Sequence, residues 1–397
     1  MALLLAAAFA LGACTPVAEK EKAQEEASGQ DHSAPQENAE DKAENGAGEE
    51  PKEAARDIPQ VPKVCLLVTG TLGDRAFFDS ANAGLERLKA DLGDQIETKV
   101  VEVGIDQTKY EPALNQVSNE DYDVIVVMGW IVVEHLQVIA PQHPEKTYII
   151  LDSSVDYSAG DCGNVYSVEY KSNEAAFLAG ALAAKMTSSG LEGYNDKKLI
   201  GLVGAMDIPV INDFAVGYVE GAQFVDPEIK SHLAYIGNFD DSAKAKELAL
   251  SQYADGADIV FSVSAAPSIG VVDAASEKNQ KLIGVDSDQA ILLEDSAPEK
   301  AKNILTSVLK NTGNSLYDSV MLYREGKLPL GQAVMHGLAE GGVELAKNKY
   351  YEELVPQDVR DFIEELQQKV ISGEITVKSA YGLNQQELDE IRNSVKP

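Results

Sequence analysis

Val64-Cys65-Leu66-Leu67-Val68-Thr69-Gly70 and, 135 residues later, Leu199-Ile200-Gly201-Leu202-Val203-Gly204-Ala205 are two versions of one pattern. Asp123-Val124-Ile125-Val126-Val127 returns as Asp258-Ile259-Val260-Phe261-Ser262, again at an offset of 135. Ile149-Ile150-Leu151-Asp152-Ser153-Ser154 returns as Ile283-Gly284-Val285-Asp286-Ser287-Asp288, at an offset of 134. An offset held over three segments is a register, so the chain carries one α/β unit twice. Each run is short and β-rich and closes on Gly, Ser or Asp, as a buried parallel strand does where it meets a loop. Helix-length segments separate the runs, which implies parallel sheets with right-handed crossovers. The expected fold class is therefore α/β, two similar doubly wound parallel-sheet lobes joined by a hinge. The cleft between such lobes is where a small ligand binds.

Working outward, residues 61–170 form lobe one, with strands expected at 64–69, 97–103, 123–128 and 147–151. Helices are expected at about 76–92, 109–119 and 131–140, and a strand at 164–168 leads out of the lobe. Lobe two spans 171–299 and opens on an Ala-rich helix, Asn173–Met186, whose Gly180 points to close packing against the sheet or the other lobe. From about 300 to 350 the chain is expected to return to lobe one through the strand-like run Ile304–Lys310 and a helix at 313–325. Residues 351–397 supply a C-terminal helix at 356–372 and a polar, peripheral tail.

The first fourteen residues are apolar and end in Leu11-Gly12-Ala13-Cys14, the form of a secretory signal peptide closing on a lipobox. Lipid on Cys14 would anchor the protein to a membrane surface, since the apolar run is too short to span a bilayer. No Lys or Arg precedes that run, which departs from the pattern and leaves room for a start further upstream. Residues 15–60 contain no Leu, Phe, Tyr or Trp and hold thirteen acids against five bases. Such a segment cannot bury enough apolar area to offset its ordering entropy, so it reads as a disordered acidic tether. The formal charge of −32 excludes nucleic acid as a partner, because phosphate binding needs clustered Lys and Arg. With Cys14 assigned to lipid, Cys65 and Cys162 remain: Cys65 reads as buried packing, and a Cys65–Cys162 disulfide stays open as an alternative. No metal-ligand spacing, Gly-x-Gly-x-x-Gly or Walker sequence is present, so no cofactor or metal is expected. Ser307-Val308-Leu309-Lys310 matches Ser-x-x-Lys only in spelling, and the five His residues form no triad, so no catalytic set is expected.

Functional side chains in open α/β sheets gather at the carboxyl ends of strands. After the first strand comes Asp74-Arg75-Ala76-Phe77-Phe78, and after its echo Asn212-Asp213-Phe214. Phe77 precedes Gly84 by seven residues and Phe214 precedes Gly221 by seven, so the two rings hold equivalent places in the two lobes. They can sandwich a heteroaromatic base, and Phe78 can stand in for Phe77. The competing reading makes both rings core residues. Asp74 is either a helix cap or an acceptor for a base N–H. Asp286 ends a hydrophobic strand expected near a lobe crossover and suits a vicinal diol, or caps a loop. Asp152 is its echo. Lys310 can donate to a sugar or base oxygen, although a lysine is usually solvated surface. Trp130, the single tryptophan, follows Gly129 at a strand end and either lines the cleft or packs.

Several ordered stretches resemble the basic membrane protein family, the substrate-binding lipoproteins of ABC importers, several of which bind purine nucleosides. They are Phe177-Leu178-Ala179-Gly180, the run from Asp207 to Tyr218, Gly237-Asn238-Phe239-Asp240-Asp241, the run from Gly256 to Phe261, Gly284-Val285-Asp286-Ser287-Asp288-Gln289, and Thr306-Ser307-Val308-Leu309-Lys310. The resemblance covers residues 63–378. It implies a type I periplasmic-binding fold with three hinge strands, a nucleoside between stacked phenylalanines, and Asp74, Phe77, Phe214, Asp286 and Lys310 as ligand contacts. It implies permease and ATPase subunits as partners. Where the family usually shows Asp-x-Ser-Phe-Asn, this chain has Asp74-Arg75-Ala76-Phe77-Phe78, and Ala265-Ala266-Pro267-Ser268 replaces a usual Gly-rich turn. The rival functions are a receptor for a sugar or other metabolite, a ligand sensor, and a nucleosidase.

Overall fold

The computed structural model describes residues 58–397. The expected signal stretch, Cys14 and nearly all of the acidic tether lie outside the described residues. In chain order the strands are β1 (Lys63–Val68), β2 (Glu97–Glu102), β3 (Val124–Met128), β4 (Thr147–Leu151), β5 (Val165–Tyr170), β6 (Leu199–Gly204), β7 (Lys230–Tyr235), β8 (Ile259–Val263), β9 (Lys281–Asp286), β10 (Ile304–Lys310), β11 (Gln332–His336) and β12 (Val343–Leu345). The α-helices are α1 (Phe77–Leu92), α2 (Tyr110–Asn119), α3 (Val133–Ile139), α4 (Ser172–Thr187), α5 (Pro209–Val225), α6 (Ser242–Asp255), α7 (Ser268–Lys278), α8 (Gln289–Glu294), α9 (Pro298–Ala301), α10 (Thr312–Arg324), α11 (Lys349–Leu354), α12 (Gln357–Ile371) and α13 (Gln385–Ser394).

Two six-stranded sheets result, ordered β11-β5-β4-β3-β1-β2 and β12-β10-β9-β8-β6-β7. This is the doubly wound, two-lobed α/β fold that the repeated pattern implies, a type I periplasmic-binding fold. All pairings are parallel except β10 with β12. The central strands β1, β3, β6 and β8 are flanked by strands on both edges and helices on both faces, so their side chains are buried almost without exception. Edge strand β2 keeps one wet face and alternates instead.

Lobe membership departs from the sequence expectation after residue 300. Strand β10 pairs with β9 in the second sheet, and of the strands after residue 300 only β11 returns to the first. Helices α8 and α9 form the crossover between the parallel neighbours β9 and β10, so β10 stays beside its predecessor. Helix α10 does reach lobe one, where Gly84 of α1 meets the backbone of Gly313. The chain thus crosses between lobes three times, at residues 170–172, 310–312 and 336–343.

Helix α4 packs on α5 of its own lobe. Hypothetical Cβ atoms at Gly180 and Gly221 would lie 1.9 Å from the carbonyl oxygens of Tyr218 and Phe177. Only glycine lets the two backbones come this close. The tail is not peripheral: Val395 is fully buried and its carbonyl accepts from the Ser231 N–H at the edge strand β7. Cys65 and Cys162 are buried free thiols, not a disulfide.

Candidate ligand-binding cleft

The carboxyl ends of the two sheets face each other. Lys310, the last residue of β10, donates both contacts of a bidentate ion pair to Asp152 after β4, with each Nζ–Oδ distance 2.8 Å. The pair joins the lobes and is almost fully withdrawn from water. Ser287, after β9, donates to the carbonyl of Ala76 at the start of α1 (2.9 Å), a second bond between the lobes.

Aromatic rings surround the ammonium. Lys310 Nζ lies 5.0 Å from the Phe214 ring centre, 5.6 Å from Phe77 and 5.9 Å from Tyr170. The structure therefore brings Phe77 and Phe214, one from each lobe, to one point. Phe214 opens the first turns of α5, where Pro209 at the helix start supplies the preset φ. Its ring is buried and meets Phe261 edge-on at 6.1 Å. Phe77 is half-buried and tilted against Phe78 at 5.4 Å. Phe78 covers Gly70, where an added Cβ would strike the ring at 2.4 Å, so it packs over the end of β1. Trp130 is 44% exposed and follows Gly129, where an added Cβ would lie 3.9 Å from the Phe77 ring.

Asp74 takes the capping role. Its carboxylate accepts the backbone N–H groups of Ala76, Phe78 and Asp79 at 3.0–3.1 Å and so fixes the start of α1. Burial nonetheless raises its pKa against those hydrogen bonds. Asp286 differs. Among the described residues no donor reaches its carboxylate, although it is only 8% exposed. Burial pushes its pKa up to about 7; Lys310 pulls it down, while Asp152 and Asp74 push it further up. Asp152 is also raised by burial, partly offset by Lys310. Asp152 and Asp286 share φ 64°, a left-handed conformation uncommon outside glycine, so the echo in sequence is an echo in backbone geometry. Ala265 also lies at positive φ, 50°, in the turn where a Gly-rich sequence was noted as replaced.

One lysine thus faces an excess of carboxylates between two ring faces. Such a site offers acceptors in surplus and repels anions. It suits an uncharged, flat guest that brings its own N–H and O–H donors.

The family model described as ABC transporter substrate-binding protein PnrA-like matches residues 61–380. The chain belongs to the Bmp family. It is an ABC transporter substrate-binding protein of that type. A Bmp relative from Lactococcus lactis subsp. cremoris, the ABC transporter nucleoside-binding protein BmpA, is 31% identical over 280 residues, covering 68% of this chain and 75% of its own. Basic membrane protein A1 of Borrelia garinii subsp. bavariensis is 30% identical over 334 residues, covering 80% and 88%. A solved ABC transporter solute-binding protein from Aeropyrum pernix K1 superposes with a TM-score of 0.73 at 25% identity, covering 84% of this chain and 98% of that one.

Sequence reasoning did not single out Tyr170 or Ser287. Tyr170 ends a strand that leaves its lobe, which was a usable signal. Ser287 follows Asp286 with nothing in the pattern to mark it.

Proposed function

We propose that this Bmp-family protein captures a purine nucleoside in the cleft between its lobes, outside the cytoplasmic membrane, and presents it to a permease and ATPase of an ABC importer. The anchor is lipid on Cys14, with residues 15–60 as the tether. The observation that supports the ligand class most is Asp286: a buried carboxylate without a protein donor, set beside a lysine and two aromatic faces from opposite lobes. The base stacks between Phe77 and Phe214, at about 1–3 kcal/mol per stacked base. The ribose diol donates to Asp286, and Lys310 donates to a sugar or base oxygen. Closure about the three crossings buries the guest, with contacts from both walls favouring the closed state. The protein binds and releases its ligand unchanged.

Calorimetric titration of the ligand-free protein with adenosine, guanosine, inosine, ribose and inosine 5′-monophosphate tests this. Nucleosides bind 1:1, and the monophosphate binds far more weakly because its charge meets the carboxylates. Binding of ribose with no nucleoside bound refutes the stacking; free base appearing in the recovered ligand refutes the receptor reading.

A further inference from the structure

The segment after α12 is held as a strap across the first turn of α5. Asn173 Nδ2 donates to the carbonyls of Val377 and Lys378, both at 3.0 Å. Asp213, fully buried, accepts the Ser379 hydroxyl (2.6 Å), the Ala380 N–H (2.9 Å) and the Asn173 N–H (2.9 Å). Glu220 accepts the Lys378 N–H at 2.7 Å. Beyond the strap, Ala380 and Leu388 pack on Val216 of α5. These bonds hold the backbone immediately before Tyr381, and the packing of Leu388 holds the helix after it. A buried carboxylate satisfied by three donors is costly to build, and here its effect is to place one residue.

Tyr381 is 48% exposed despite this support. Among the described residues its hydroxyl has no hydrogen-bond partner. Its ring lines a cavity of about 550 Å³ beside the crossings, together with Tyr170 and Asp213. That volume falls in the range of small-molecule sites, about 300–1,000 Å³. Tyr170 is the link to the ion pair: it lines this cavity, and its ring stands 5.9 Å from Lys310 Nζ. Burial raises the phenol's pKa, and so do Asp152, Asp213 and Glu169, so these carboxylates lie within electrostatic reach. The hydroxyl stays protonated at neutral pH and can donate.

Among the site residues named so far, free donors are few. Lys310 gives two of its three N–H bonds to Asp152 and keeps one, and Asp74, Asp152 and ionised Asp286 only accept. A nucleoside also carries acceptors, at its base and its sugar oxygens. We propose that Tyr381 is a ligand-facing residue of the interlobe site, carried there by the C-terminal strap, and that its hydroxyl donates to a base or sugar oxygen of the bound nucleoside. This rests on the nucleoside reading above. The C-terminal segment is then part of the binding lobe, and Asp213 links it to the same helical turn that supplies Phe214.

The test compares wild-type full-length protein with Tyr381→Phe and Tyr381→Ala, titrated with inosine, guanosine, adenosine and cytidine, with thermal unfolding of ligand-free samples alongside. Loss of one hydrogen bond corresponds to a roughly 3–10-fold weaker Kd for Tyr381→Phe. Tyr381→Ala weakens binding further, and ligand-free melting stays within a degree or two for Tyr381→Phe. Wild-type binding with both variants unchanged in affinity overturns the proposal and leaves the nucleoside reading standing. A wild-type protein that binds none of the four overturns both.

Discussion

Removing the Lys310 ammonium should destabilise the protein in a way that depends on pH. Lys310→Met keeps the length of the side chain and deletes the charge. Asp152 then remains in a site where burial already raises its pKa and Lys310 alone opposes that rise. Removing one member of a buried pair costs about 3–5 kcal/mol. Proton uptake by Asp152 sets a ceiling: from the ordinary value of 3.8 to pH 7 it amounts to roughly 4 kcal/mol, at 1.36 kcal/mol per unit. Loss of the contacts with Phe77, Tyr170 and Phe214 adds about 1 kcal/mol. In the variant the folded pKa of Asp152 lies well above its unfolded value. The resulting stability is fully present below about pH 4 and is lost as pH rises, so the deficit is largest near pH 8 and shrinks towards pH 5. Lys310→Met/Asp152→Asn removes the orphaned charge and should recover to within about 2 kcal/mol of wild type at pH 8. Urea unfolding of ligand-free wild type, Lys310→Met, Asp152→Asn and the double variant, followed by circular dichroism at pH 5 and pH 8, measures all four corners of the cycle. A deficit that is the same at both pH values, or a double variant no more stable than Lys310→Met, refutes the account of the pair as a coupled unit.

Phe214 needs a gentler substitution than alanine, because its ring is also core and truncation costs about 3–5 kcal/mol of stability. Phe214→Leu and the half-buried Phe77→Ala should each weaken nucleoside binding by about 1–3 kcal/mol in calorimetry; unchanged affinities return both rings to a packing role. Asp286, with a pKa of about 7 against an unfolded 3.8, contributes stability that is complete below pH 4 and lost by about pH 7. Because a diol needs the ionised acceptor, nucleoside affinity should rise as pH passes 7, and Asp286→Asn should flatten that profile. Asp213→Ala strips three donors of their partner and should cost about 2–4 kcal/mol while exposing residues 377–397 to limited proteolysis, read by mass spectrometry; an uncut tail contradicts the strap.

The two sheets were legible because strand composition repeats at a fixed offset, and the repeat needs no knowledge of pairing. Strand β10 has no counterpart in that repeat, and an isolated apolar run does not say which sheet it joins. Strands β11 and β12 were missed since Gln332–His336 is half polar and Val343–Leu345 is three residues long. Among site residues, Phe77 and Phe214 were readable from their equal spacing to glycine. In the sequence Asp152 is only the echo of Asp286, yet it is the one ion-paired to Lys310, and partner choice across lobes leaves no mark in a linear pattern. The polar tail misled for the same reason: its partners, Asp213, Asp207 and the Ser231 N–H, all lie far back in the chain.

Because the polypeptide passes between the lobes three times, neither lobe is a contiguous piece of chain. A nascent protein that has emerged only as far as β10 holds two sheets, each missing its outer strand. Sheet one gains β11 and sheet two gains β12 only when residues 332–345 arrive, and the two additions are separated by a single short turn. Vectorial synthesis therefore finishes both halves almost together, and a ligand trap cannot form on a partly made molecule. Fragments cut between the halves would carry raw sheet edges, so a two-piece version of this receptor calls for circular permutation instead.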